Sequence, residues 1–130
     1  MASVLLDTHV WAWSLVEPGR ISAAARTAIE LADAVYVSPI SFFEIGQKVR
    51  LGKWPEMAPH AERLPEVLRG QGAYLAPMTG EICLKASLFD WAHRDPFDRL
   101  LAATVQVTGD GLVSADGAFD GVPGGVRRIW

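Results

Sequence analysis

The chain has 130 residues, half of them apolar, with 12 basic and 15 acidic side chains and a formal charge of −3. That length is simplest as a single domain over 1–130, burying about 65–70% of its unfolded surface without disulfide or metal staples. The lone Cys83 excludes an intramolecular bridge, and the absence of a basic N-terminal leader or a bilayer-length apolar run argues against export or membrane insertion and for a cytoplasmic location.

Val4-Leu5-Leu6 is a short apolar run of buried-strand type, and Asp7 follows at its carboxyl end. Thr8 to Val16 reads as a helix carrying Trp11 and Trp13, closed by Glu17-Pro18-Gly19. One of these tryptophans suits the core but hardly both, because positions two apart on a helix diverge by about half a turn. Ser22 caps an alanine-rich helix from Ala23 to Ala32, and Val35-Tyr36-Val37 is a β-branched, aromatic strand. Ser41 and Glu44 have capping-box spacing, with Ile40 and Ile45 as the hydrophobic staple, so the next helix is predicted to start there and to end at Gly52. Trp54-Pro55 to Pro59 is a loop, and Trp54 is the leading candidate for a partner-facing aromatic.

His60 to Arg69 is helical in character, broken or begun by Pro65. Ala73 to Ala76 is a weaker strand, and Thr79 caps a helix through Leu88 in which Cys83 is predicted to be a small buried hydrophobe. Asp95 is a good N-cap, Pro96 occupies the first helical position, and Asp98 stands at the third, aimed at the positive end of the dipole. Phe97, Leu100, Leu101, Thr104, Val105 and Thr108 recur at helical spacing and are predicted core. Leu112 to Ser114 is a fourth strand with Asp116 just past it. Val126 to Trp130 forms a fifth after the turn at Gly121–Gly125.

Strands alternating with helices imply right-handed crossovers and a parallel sheet covered on both faces, an α/β/α three-layer sandwich. Sites in such sheets lie beyond the carboxyl ends of the strands. Asp7 and Asp116 occupy strand ends while Glu44 and Asp98 begin helices, so the four acids could converge on one pocket. Clustered carboxylates repel one another unless a cation joins them, and hard divalent cations such as Mg²⁺ and Mn²⁺ prefer such oxygens. A bound cation would activate water and stabilise charge on a phosphodiester in transit, with no protein nucleophile required.

Each acid has a plainer role beside this one. A charge at the end of a buried strand is costly, which favours function for Asp7. For Asp98 cap and ligand are evenly balanced. Glu44 is served by the capping box and Asp116 by an ordinary turn.

Leu5-Leu6-Asp7-Thr8-His9, Ser41-Phe42-Phe43-Glu44-Ile45, Asp95-Pro96-Phe97-Asp98-Arg99 and Ser114-Ala115-Asp116, in this order, resemble the acidic motifs of VapC-type PIN-domain ribonucleases. The resemblance implies a sheet ordered 3-2-1-4-5 and Mg²⁺-dependent RNA cleavage by Asp7, Glu44, Asp98 and Asp116, with Mn²⁺ substituting. It also implies a cognate antitoxin that restrains the enzyme, and a homodimer. Gly117 stands where the family often has a larger polar residue, which leaves Asp116 the least secured of the four. His93 and Arg94 flank the third motif and could contact phosphate, His93 reading as a residue behind the site or at its surface. A catalytically silent PIN-like module that binds RNA or protein is the alternative. A phosphoaspartate enzyme is disfavoured, because His9 stands where a second aspartate is usual. The net negative charge is awkward for gripping RNA phosphates; bound divalent cations, a local basic cluster or a basic partner would each answer it, and composition does not choose among them.

Overall fold

The computed structural model describes residues 2–130 as a five-stranded, all-parallel sheet of order β3-β2-β1-β4-β5 flanked by helices. The strands are β1 (Val4–Leu6), β2 (Val35–Val37), β3 (Tyr74–Leu75), β4 (Gly111–Val113) and β5 (Arg128–Ile129). The helices are α1 (Thr8–Val16), α2 (Ala23–Leu31), α3 (Pro39–Arg50), α4 (Leu64–Gly70), α5 (Gly80–Leu88) and α6 (Pro96–Thr108). None is long and apolar enough to cross a membrane.

Side-chain alternation along three central strands sets the layering. Val4, Leu6, Val37 and Val113 point to one face, where Val10, Trp11, Ile45 and Leu64 from α1, α3 and α4 complete a core. Leu5 and Leu112 point to the other, against Leu101, Ala102 and Val105 of α6 and Phe119 of a short 3₁₀ turn. Alpha5 then docks on the outside of α6 through Ile82, Ala86 and Ala103. In register, Val4 pairs with both Val35 and Gly111, and Leu6 with both Val37 and Val113, so β1 is hydrogen-bonded on both edges. The acid that follows β1 is thereby fixed to the centre of the sheet's carboxyl edge.

Three expectations are corrected. Alpha3 begins at Pro39, not after Ser41: Ser38 caps it by accepting the Ile40 N–H at 3.1 Å, and the proline ring presets the first turn. Ser41 therefore lies inside the helix, where its hydroxyl meets that of Thr8 at 2.7 Å, and Glu44 is a full turn too deep to close a capping box. Cys83 is exposed, because the stripe of α5 that packs inward runs through Ile82 and Ala86, and one residue further on the helix turns outward. Thr108 is likewise exposed, at the end of α6 where Gly109 terminates the helix with φ +82.

The remaining boundaries follow the chain signals closely. Ser22 accepts the Ala25 N–H, Thr79 the Ile82 N–H, and Asp95 the Phe97 N–H at 2.9 Å. Pro65 stands in the first turn of α4. The stretch after Trp54 contains a 3₁₀ turn, Pro55–Met57, that buries Met57 completely.

Candidate active site

Asp7, Glu44, Asp98 and Asp116 all line one cavity of about 300 Å³ at the carboxyl edge of the sheet, together with His9, Trp13, Lys48, Asp95 and Ala115. They come from the end of β1, the second turn of α3, the first turn of α6 and the turn after β4. Among these lining residues there is no serine, threonine or cysteine.

Asp7 is where strand becomes helix. Its N–H continues the ladder to Val113 O at 2.9 Å, and its carbonyl accepts the Trp11 N–H. Although it occupies the N-cap position of α1, its side chain makes no capping hydrogen bond. The carboxylate instead accepts the Ser114 hydroxyl at 2.7 Å. It is 6% exposed, and burial raises its pKa; Glu44 adds to the rise, while Ser114 and the nearby His9 oppose it.

Glu44 is 4% exposed and held by Lys48, one helical turn on, with Nζ 2.7 Å from Oε2. This i, i+4 pair replaces the capping box as the explanation of its position. Asp98 pairs with His93 Nε2 at 2.7 Å. Burial pushes the Asp98 carboxyl up to about 7, against the His93 hydrogen bond, with Asp95 and Asp7 adding repulsion. Asp116 is exposed and accepts the Ala118 N–H at 2.9 Å, capping the 3₁₀ turn Gly117–Gly121.

Ligand atoms of His93, Asp98 and Asp116 lie within 4.8 Å of one another. His93 thus belongs to the tightest cluster of candidate ligands, closer in than its sequence context suggested. Asp7 and Glu44 line the same cavity outside that cluster, and Ser114 links Asp7 to Asp116, since its Oγ donates to Asp7 and accepts the Asp116 N–H at 3.0 Å.

Arg99 has a supporting role that its place in the third motif did not disclose. Its guanidinium donates to the carbonyls of Ala86, Phe89, Trp91 and His93 at 2.6–3.0 Å, clamping the segment that carries His93 to α6. Lys48 could have been found from its spacing to Glu44. Ser114 stands 107 residues from Asp7, and no local signal could pair them. Trp11 is fully buried with its indole N–H on Gln71 Oε1 at 2.8 Å, whereas Trp13, Trp54 and Trp91 are half-buried.

Residues 4–125 match the PIN domain family. The chain belongs to the PIN-domain family. A curated relative, ribonuclease VapC22 of Mycobacterium tuberculosis (strain ATCC 25618 / H37Rv), is 35% identical over 119 residues, covering 89% of this chain and 88% of the relative. This PIN domain therefore sits among VapC proteins by sequence. The crystal structure of VapBC2 from Rickettsia felis, bound to a DNA fragment from its promoter, contains a chain that superposes with a TM-score of 0.67 at 13% identity. The match covers 98% of this chain and 99% of that one. FitAcB from Neisseria gonorrhoeae matches with a TM-score of 0.53 at 22% identity, over 89% and 90% of the two chains. At those identities the structural matches speak for the PIN fold alone.

Proposed function

We propose that this PIN domain is an endoribonuclease, the toxin of a toxin–antitoxin pair, which hydrolyses RNA phosphodiester bonds with Mg²⁺ held by Asp7, Glu44, Asp98 and Asp116. The observation that carries this reading is the convergence of four carboxylates on one cavity, at least two of them made unstable as anions by burial. The carboxylate oxygens suit Mg²⁺, and Mn²⁺ as a substitute. A divalent cation bound there would supply Lewis acidity to a phosphate oxygen and lower the pKa of water. The chain's own groups bind and orient. Lys48 and His9 line the cavity as groups able to donate to phosphate oxygens, while Lys48 also holds Glu44 and His93 holds Asp98. Ser114 keeps Asp7 facing the cavity, and Arg99 keeps His93 in place.

The relative's name, ribonuclease VapC22, supports the RNA substrate, and the VapBC2 complex is the precedent for an antitoxin partner. An antitoxin arginine reaching into the cavity would pair the carboxylates bidentately and block cation binding. A second copy of the chain is the expected partner for the apolar surface at Leu84 and Leu88, which are 60% and 71% exposed on α5.

The test is cleavage of single-stranded RNA by the antitoxin-free protein, with Mn²⁺ and with EDTA. Cleavage that needs the cation and fails in Asp98→Asn is the expected result. A folded wild-type protein that cleaves no RNA with saturating Mn²⁺ would leave the silent binding module as the better description.

A further inference from the structure

We propose that His9, Trp13 and Trp54 form a nucleobase-stacking rim for single-stranded RNA beside the acidic cavity, with Lys48 and Arg20 as its cations. The proposal rests on the ribonuclease reading and names how its substrate is held.

His9 and Trp13 stand four residues apart on one face of α1, and both line the cavity with the four acids. The His9 ring is exposed and lies 6.0 Å from Trp13 and 5.0 Å from Trp54, centroid to centroid. Trp130 extends the row from the far side of Trp13 at 5.9 Å. One cation lies by each of Trp13 and Trp54. The Arg20 guanidinium is 4.4 Å from the Trp13 centroid, and Lys48 Nζ is 5.4 Å from that of Trp54. Trp13 and Trp54 pack against the core on one side and remain partly open on the other. A carboxylate cation site has no need of flat ring walls, so His9 and Trp13 in the same cavity, with Trp54 against His9, call for a flat ligand.

Nucleobases fit that description. Stacking on aromatic rings and arginine planes is the common mode by which unpaired bases are bound, and it tolerates any sequence because each base has a π-face. It also answers the charge problem. A chain of formal charge −3 whose cavity is acidic repels phosphates, but it can hold a strand through the uncharged bases while Lys48 and Arg20 take the backbone. The strand must be unpaired. Duplex bases are already stacked on one another, and Asp7, 6% exposed at the cavity floor, is reached only by a phosphate splayed out of regular helix.

Adenosine 5′- and 3′-monophosphates test this with the wild-type protein in Mg²⁺, since they contain no phosphodiester to cleave. Ribose 5-phosphate is the ligand without a base. Binding is read by tryptophan fluorescence and by the indole N–H signals in NMR, where Trp11, bonded internally to Gln71, serves as the unmoved control. A stacked base should tighten binding about 5- to 150-fold over the sugar phosphate. It should also shift the Trp13 and Trp54 signals. His9→Ala and Trp54→Leu should erase most of that preference, Trp54→Phe should keep part of it, and melting curves establish that each variant is folded. Equal affinity for nucleotide and sugar phosphate, or unmoved Trp13 and Trp54 signals, would overturn the rim. So would variants that keep the preference, and the rings would then be left to a protein partner. RNA cleavage with Mn²⁺ is scored separately. Cleavage without base-dependent binding rejects the rim alone, whereas base-dependent binding without cleavage upholds the rim and rejects the nuclease.

Discussion

Asp98→Asn should stabilise the cation-free protein at alkaline pH while removing its response to cations. Burial pushes the Asp98 carboxyl from an ordinary 3.8 up to about 7. The folded protein therefore keeps this proton to higher pH than the unfolded chain does. Its contribution is fully present below about pH 4 and is lost as pH rises through about 7. The difference is roughly 3 pH units at about 1.4 kcal/mol each. Water reaching a side chain that is 15% exposed reduces that ceiling to roughly 2–4 kcal/mol by pH 8. Asparagine carries no charge, and its carbonyl oxygen can still accept a hydrogen bond from His93 Nε2–H. Thermal melts in EDTA from pH 5 to 8.5 should show wild type falling by roughly 6–15 °C. The variant should fall less, its remaining slope coming from Asp7, whose pKa burial also raises. Mn²⁺ at ~100 times its Kd should return roughly 2.7 kcal/mol to wild type at pH 8 and clearly less to the variant. Parallel pH profiles for the two proteins in EDTA would refute the claim that a buried Asp98 anion is the strained group.

Three further outcomes follow from the same geometry. Glu44→Gln keeps an acceptor for Lys48 and should cost at most about 1 kcal/mol in urea unfolding. It should abolish most Mn²⁺-dependent cleavage, and a wild-type rate would remove Glu44 from the cation site. Ser114→Ala deletes the donor to Asp7 and the acceptor of the Asp116 N–H, so cation affinity measured by calorimetry should fall about 10- to 100-fold. Unchanged affinity would mean that Asp7 needs no orienting partner. Arg99→Lys cannot reproduce the fork that reaches five carbonyls. It should destabilise by about 2–3 kcal/mol in chemical denaturation, and full stability would show that the 89–95 segment holds itself.

What the chain carries locally was readable from it. Strands ending in Asp7 and near Asp116, caps at Ser22, Thr79 and Asp95, and the proline-led start of α6 each depend on neighbours within a few residues, and local chemistry decides them. The alternation of strands and helices was enough to imply a parallel three-layer sandwich, while the strand order came from the family resemblance and is the one observed. Local chemistry also misled where two starts competed. Ser41 with Glu44 is a plausible cap, but Ser38-Pro39 starts the helix one turn earlier, and only the packing of Ser41 against Thr8 shows why. Cys83 went wrong for the same kind of reason: an apolar run on an outer helix does not say which side faces α6. The site itself is a tertiary fact. Burial raises the pKa of Asp7 and Asp98 against the hydrogen bonds from Ser114 and His93, and a carboxylate's pKa depends on burial and on partners that the sheet brings together from across the chain. The sequence could name the acids, because residue type and motif are local. The raised pKa values of Asp7 and Asp98 were decided by the fold, because desolvation belongs to the packed molecule and not to any stretch of it.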